Sequence, residues 1–403
     1  MAPSPQPRQH SVMALPLHTR GTVSGQGASA LYKVLSLAEA LRQDFPLPQV
    51  MIDLRDLDGV DHNALVAIGA GAVLGAGDSL ASPLPTLHSL TMPAVVAPGD
   101  VVRVHPTGQV NVLYRRGANA NTLFATERCN SRCLMCSQPP REEDDSWRIG
   151  EMIDLLQLID RDLPVLGITG GEPCLLGEGL AKVLRAAKQF LPNTVLHILT
   201  NGRLFADRAF VRLFDQSAGQ VVWAVPVYAD NATDHDYVVQ ADGAFDETVN
   251  GLHNLAERGH RIEVRCVLHR QTTYRLQELA EYLYRNLPFA EHVAFMGLEP
   301  MGYARSNRDV LWIDPLEYAN TLSQVSAYLW RRGMAVSIYN IPLCLLPDQA
   351  RPFARQSISD WKNVFAPECQ SCTLRGACCG FFRSAGDGWR SKGIQAIESK
   401  AIA

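Results

Sequence analysis

Between about residues 121 and 302, short apolar runs alternate with amphipathic stretches. The runs at 122–126, 164–169, 194–200, 221–228, 262–268 and 292–297 are nearly continuous in apolar residues, as strands buried on both faces are. The stretches between them carry apolar residues at helical spacing. Ile149, Met152, Ile153, Leu156 and Ile159 share one face; Leu180, Val183, Leu184, Ala187 and Leu191 share the next; Phe245, Val249 and Leu252, then Leu276, Leu279, Leu283 and Leu287 follow. Strands alternating with helices of about ten to fifteen residues imply parallel pairing through right-handed crossovers, in a barrel or a doubly wound sheet. Six such units favour an α/β partial (β/α)6 TIM-like barrel over 121–302.

The flanks read differently. Residues 1–120 predict a small α+β N-terminal domain for docking or scaffolding: a helix over 34–45, a strand over 49–55, an Ala/Gly-rich helix over 63–74 and short antiparallel strands over 92–115. Residues 303–403 predict a helix over 316–332, with Asp314 as N-cap, Pro315 in its first turn and Gly333 just past its end, followed by a cysteine-rich C-terminal extension poor in periodic segments.

Composition narrows the class. In 403 residues, 37 Lys+Arg against 41 Asp+Glu leave a net charge of −4, which argues against nucleic acid or an anionic membrane as partner. No run approaches the ~20 apolar residues of a spanning helix, and Arg8 and Arg20 flank no apolar signal core, so the chain reads as cytoplasmic. There the ten cysteines favour metal or cluster ligation over disulfides. Cys174 and Cys266 lack partner spacing and read as buried hydrophobes.

Cys129, Cys133 and Cys136 stand at CxxxCxxC spacing just after the first strand of the alternating region, where α/β folds place active sites. Three thiols leave one iron of a cluster open to substrate or cofactor, whereas zinc with a fourth ligand from afar suits the same spacing. After the second strand comes Gly170-Gly171-Glu172-Pro173, in which two glycines permit close backbone approach and a carboxylate can accept from an ammonium group.

CxxxCxxC after strand one and GGEP after strand two resemble the radical S-adenosylmethionine (SAM) superfamily. The resemblance implies that Cys129, Cys133 and Cys136 hold a four-iron four-sulfur (4Fe-4S) cluster whose fourth iron is chelated by SAM. Met135 would then pack near the adenine, and Gly170, Gly171 and Glu172 would meet the methionine amino group. Asn201 and Arg265 would line the SAM site, Arg265 pairing with the carboxylate; a turn at Asn201-Gly202 and a structural ion pair at Arg265 are the plainer readings. The implied chemistry is one-electron cleavage of SAM to methionine and a 5′-deoxyadenosyl radical that abstracts hydrogen from the substrate.

The tail repeats the theme: Cys344, then Cys369-Gln370-Ser371-Cys372, then Cys378-Cys379. It resembles the SPASM and twitch extensions of peptide-modifying members, which implies a second, auxiliary 4Fe-4S cluster on Cys344, Cys369, Cys372 and Cys378, with Cys379 as rival to Cys378 and zinc as the alternative. The stretches 121–129, 134–140 and 359–363 (SDWKN) resemble the C-type maturases (HxsC) of the His-Xaa-Ser peptide-modification system. That implies a substrate polypeptide with His-Xaa-Ser repeats, a second radical SAM maturase as partner, and an electron donor such as a flavodoxin or ferredoxin. A small-molecule substrate, or a cluster-bearing subunit without turnover, are the competing expectations. Two residues at the fourth strand complete the candidates: His235 beyond it, a substrate contact or, the plainer reading, a solvated loop histidine, and Tyr228 at its end, a ribose partner or radical relay or, the plainer reading, a packing residue.

Overall fold

The structure, a computed structural model, describes residues 15–25, 28–42, 45–77, 82–118, 120–356 and 364–398; the 359–363 stretch and Arg8 lie outside them. The chain forms two eight-stranded sheets.

The first sheet contains β1 (His18–Arg20), β2 (Thr22–Ser24), β3 (Ala30–Ser36), β4 (Val50–Asp53), β5 (Ala72–Leu74), β6 (Thr86–His88), β7 (Val101–Val104) and β8 (Gln109–Tyr114), in the order β1-β8-β7-β3-β4-β5-β6-β2. Its two edges are consecutive in sequence. Gly21 alone separates β1, paired with β8, from β2, paired with β6, so one bent strand closes the sheet on itself. A side chain at Gly21 would come within 2.7 Å of the His88 carbonyl, which is why the bend takes glycine. One core, including Tyr32, Val34, Met51 and Val102, fills one face of the sheet, and a second, including Leu35, Val50, Ile52 and Leu65, fills the other.

Two helices expected here are corrected. Residues 34–36 belong to β3, because Val34 and Leu35 bury opposite faces of a strand; only Leu37–Ala40 (α1) is helical, started by a capping box between Ser36 and Glu39. The second helix, His62–Ala67 (α2), stops before Gly69, whose φ of 85° is left-handed, and Ala72–Leu74 pairs as β5 between β4 and β6. The antiparallel pair β7–β8 is as expected.

The second sheet is all parallel: β9 (Thr122–Phe124), β10 (Val165–Thr169), β11 (Val195–Leu199), β12 (Val221–Pro226), β13 (Arg261–Leu268), β14 (His292–Gly297), β15 (Ala335–Tyr339) and β16 (Ala354–Arg355), in sequence order. The six expected strands are present, and the sheet continues through two more; β15 rises from a region read as poor in regular structure. The connections are α3 (Trp147–Leu158), α4 (Glu178–Phe190), α5 (Arg208–Arg212), α6 (Ala232–Val239), α7 (Ala244–Glu257), α8 (Arg270–Thr273), α9 (Leu276–Asn286), α10 (Tyr303–Ser306), α11 (Arg308–Leu311) and α12 (Pro315–Trp330). Asp314 caps α12 through Leu316 N–H at 3.1 Å, and Gly333 follows at φ 85°. The apolar stripes of α3, α4, α7 and α9 join one core with the strands.

Strand residues with intermediate exposure face the lumen. Glu263, Arg265 and Val267 alternate with fully buried Ile262, Val264, Cys266 and Leu268. Deep in this lumen the Glu263 carboxylate accepts from His292 at 2.8 Å and lies 3.4 Å from His197.

The two sheets meet at Asp160, just past α3. Its carboxylate takes Lys33 Nζ of β3 at 2.8 Å, Arg116 at 2.8 Å and the Tyr114 hydroxyl of β8 at 2.9 Å. Lys33 is wholly buried, so this pair is a fixed junction rather than a surface contact.

Candidate active site

The loop after β9 carries Cys129, Cys133 and Cys136, all half-buried and unbridged. Its start runs beside the turn after β10, where Gly171 N–H donates to Thr126 O at 2.7 Å and Glu172 N–H to Arg128 O at 2.8 Å. Here both glycines are obligatory. A Cβ on Gly170, whose φ is 150°, would stand 2.5 Å from Thr126 O, and one on Gly171 would stand 2.1 Å from Arg128 O. Gly170 and Gly171 therefore let the turn lie flat against the cysteine loop.

Glu172 is buried at the head of a short 3-10 turn and is saturated by its own chain. It accepts from Cys174 N–H at 2.8 Å, the Thr200 hydroxyl at 2.7 Å and Asn201 N–H at 2.6 Å. Burial raises its pKa above the usual carboxylate range against the pull of those donors. Asn201, after β11, sends its side-chain N–H to Asn130 Oδ1 at 2.6 Å, so the GGE turn, the Asn-Gly turn and the cysteine loop form one bonded unit.

Several residues that spacing did not single out hold this unit. Arg203 donates to Asn130 O at 2.5 Å and Ser131 Oγ at 3.1 Å while pairing with Glu247 at 2.6 Å. Asp145, almost fully buried, accepts from the Thr126 hydroxyl at 3.0 Å and Glu127 N–H at 2.5 Å. On the far side Leu134 N–H donates to Val238 O, Tyr303 N–H to Cys136 O and Asn307 to Leu134 O. Asn130 sits inside the cysteine motif itself; the rest carry no sequence signal.

Met135 packs with Tyr228, Val238, Ala304 and Leu311. Tyr228 is buried as expected. His235 is not in a solvated loop: it lies on α6, 2% exposed, with its Nδ1 3.3 Å from Tyr228 N–H, and burial lowers its pKa to about 4. A third ring, His269 after β13, is fully buried 6.4 Å from Tyr228. Arg265 lies 3.6 Å from Glu263 and donates to Met296 Sδ at 2.9 Å, so its guanidinium is engaged within the lumen.

Residues 123–283 match the family model described as the radical SAM superfamily. The chain carries a radical SAM domain. It is 34% identical over 137 residues to GTP 3',8-cyclase 2 of Mycobacterium tuberculosis, an alignment covering 31% of this chain and 37% of that protein. The chain thus spans well under half the length of that relative. Among solved structures, Streptococcus suis SuiB bound to S-adenosylmethionine aligns at TM-score 0.43 and 16% identity, covering 54% of this chain and 49% of that one. Native anSMEcpe with AdoMet and the Cp18Cys peptide aligns at TM-score 0.47 and 13% identity, covering 68% and 91%.

The thiol chemistry of the radical SAM domain fits a cationic cluster. Burial pushes the Cys129 thiol up to about 11, with the Glu172 carboxylate adding to it, and Cys136 upward as well. Burial and the neighbouring thiols push Cys133 higher still. Cys136 Sγ–H donates to Gln138 O at 2.9 Å, as a neutral thiol does. Such thiols ionise when a positively charged group sits among them. Among the described residues no three His, Cys, Asp or Glu side chains are placed to share one metal ion.

Downstream of the radical SAM domain, the tail sulfurs collect backbone donors. Cys372 accepts from Ile397 N–H at 3.4 Å, and Cys378 from Leu343 and Gly380 N–H, both at 3.4 Å. Cys378 is drawn down to about 6, chiefly by the hydrogen bond its neighbour Cys379 donates, while Cys379 is buried and pushed up. Cys344 feels both Cys378 and Cys369, and burial raises it. Cys174 and Cys266 are buried, as their isolation in sequence predicts.

Proposed function

We propose that this protein is a radical SAM enzyme that modifies a partner polypeptide in the cytoplasm. The observation that carries the reading is the bonded unit of cysteine loop, GGE turn and Asn201 at the carboxyl ends of β9, β10 and β11. Cys129, Cys133 and Cys136 would hold the SAM-binding 4Fe-4S cluster, and Cys344, Cys369, Cys372 and Cys378 an auxiliary one. A bound cluster with SAM supplies an electron to the sulfonium and hence a 5′-deoxyadenosyl radical for hydrogen abstraction.

The chain's residues do the positioning. Arg203 and Asp145 set the loop, Gly170 and Gly171 keep its floor open, and Met135 and Tyr228 make an apolar wall that excludes water. Cys378 suits ligation better than Cys379, since it accepts two N–H bonds on its sulfur, whereas the Cys379 thiol is buried and donates to Gly380 O. A peptide with His-Xaa-Ser repeats, a second maturase and a flavodoxin or ferredoxin remain part of this proposal.

The test is anaerobic reconstitution with SAM and reductant, followed by mass spectrometry of a His-Xaa-Ser-repeat peptide. 5′-Deoxyadenosine with a peptide mass change supports the reading. A second reading, a nucleotide substrate, draws on the 34% identity to GTP 3',8-cyclase 2, and GTP-dependent 5′-deoxyadenosine formation without peptide would select it.

A further inference from the structure

Between the two cysteine groups lies a cavity of about 50 Å3. Its floor is the carboxyl end of the parallel sheet, at Leu268, Gly297 and Asn340 after β13, β14 and β15, and its roof comes from the extension, at Phe381, Phe382 and Trp389. Trp312 and Trp389 meet edge-on at 5.4 Å along its rim. Trp312, Ile313, Phe381 and Trp389 are only half-buried, so the cavity opens to solvent on this side.

Its walls are continuous with both thiol sites. Leu298 and Pro300 line it, and the same segment reaches Gly302 and Tyr303, whose N–H bonds the Cys136 carbonyl at 2.8 Å. Leu311 lines it and also packs in the cluster that holds Met135. On the opposite wall, Leu345 follows Cys344 and Gly380 follows Cys379. A group seated here would lie between the segment that bonds the cysteine loop and the segments that carry the tail cysteines.

We propose that this cavity seats a branched aliphatic side chain of the substrate polypeptide; the inference rests on the peptide reading above. Chemistry and size select the occupant. The lining is mainly leucine, isoleucine, proline and aromatic edges, with Tyr318, Asn340 and Ser391 as uncharged polar members and no charged side chain, so a charged group would find no counter-charge there. A benzene-sized ring needs a cavity of roughly 150 Å3, about three times what is present, so the occupant is a smaller, branched aliphatic group. Seating it would fix the neighbouring backbone of the peptide across the barrel mouth, where hydrogen abstraction needs a held substrate.

The pocket can be tested apart from turnover. Reconstituted full-length protein is labelled with fluorotryptophan, and the Trp312 and Trp389 signals are assigned by Trp312→Phe and Trp389→Phe. N-acetyl-valine amide should shift those two signals saturably and leave the other indoles unmoved. Ala385→Leu, which fills the cavity from its wall, and Ile313→Phe, which narrows its half-exposed rim, should each weaken the binding at least about tenfold. The rim variant keeps the test alive if the wall variant does not fold. No saturable shift with the valine amide, an equal shift with N-acetyl-aspartate amide, or binding unchanged in both variants would each overturn the proposal. Failure of the pocket with intact peptide modification sinks this inference alone, whereas binding of the amide with GTP as the only substrate turned over sinks the peptide reading and leaves an apolar site without its proposed occupant.

Discussion

At the first cysteine group the thiols ride on a loop that the fold holds by other means. Its backbone is bonded by the GGE turn, by Arg203, by Asp145 and by α6 and α10, and none of those bonds involves a sulfur. At the tail sulfur joins the scaffold: besides the Val364–Phe381 and Thr373–Ile397 backbone bonds, the N–H groups of residues 343, 380 and 397 are bonded to sulfur. The barrel shapes a site and then presents thiols, whereas in the tail the thiols are themselves among the groups that hold the backbone. Loss of ligands should therefore leave the first site's scaffold standing and dismantle the second.

The largest expected effect follows from the second half of that comparison. Replacing Cys369 and Cys372 with alanine should remove about half of the ~eight irons expected from two four-iron clusters. Amide exchange at Leu343, Gly380 and Ile397 should accelerate at least tenfold, roughly the loss of ~1.4 kcal/mol of local protection. Unchanged protection at those amides, measured by hydrogen exchange with mass spectrometry, would show that the tail stands without its metal. Iron near four with stoichiometric zinc would mark it as a zinc site instead.

The complementary variant, Cys129, Cys133 and Cys136 all to alanine, should abolish 5′-deoxyadenosine formation while leaving the barrel folded. Calorimetry should show the melting temperature within a few degrees of the parent, since the loop's bonds are retained. A collapse in melting temperature would make the first site as metal-dependent as the second and erase the contrast.

Between these lies a variant that attacks the scaffold without touching a thiol. Arg203→Met removes bonds to Asn130, Ser131 and Glu247, and a hydrogen bond involving a charged group contributes about 1.5–3 kcal/mol. The first site should lose iron faster to a chelator, with the tail's iron unaffected. Arg203→Lys, which keeps the charge but not the fork, should recover only part of that retention.

The barrel was largely legible in sequence because its signals are local: apolar strands, helical stripes, and the Asp314-to-Gly333 boundary each act within one element. The cysteine and GGEP motifs were legible for the same reason, both sitting at strand ends. What escaped was set by partners far along the chain. Val34 and Leu35 look helical until the sheet on either side of them is known, and the run past Ala67 looks helical until Gly71, where a Cβ would meet the Pro48 carbonyl at 1.9 Å, is seen to lead into β5. Arg203 and Asp145 carry no spacing at all, and His235 reads as a loop residue until Tyr228 and Phe245 close over it.

The smallest effect on the two sites is expected at the junction of the sheets, which makes it the control for the whole comparison. Burial alone would raise the Asp160 carboxyl, but hydrogen bonds from Arg116 and Lys33 and their charges outweigh it and bring it to about 2. A carboxyl whose folded value is depressed stabilises the fold above its unfolded value near 4 and loses that contribution as pH falls toward the folded value. The window is therefore about pH 4 down to about 2, and a shift of roughly two units sets an upper bound of about 2–3 kcal/mol at neutral pH. Asp160→Asn should lower the melting temperature at pH 7, and its difference from the parent should shrink on acidification through that window. Because the pair lies between β3 and α3 and touches neither cysteine group, iron content and SAM cleavage at neutral pH should stay at parental levels. If iron fell as well, the N-terminal sheet would be supporting the first site through α3, and the barrel's independence from its surroundings would have to be given up.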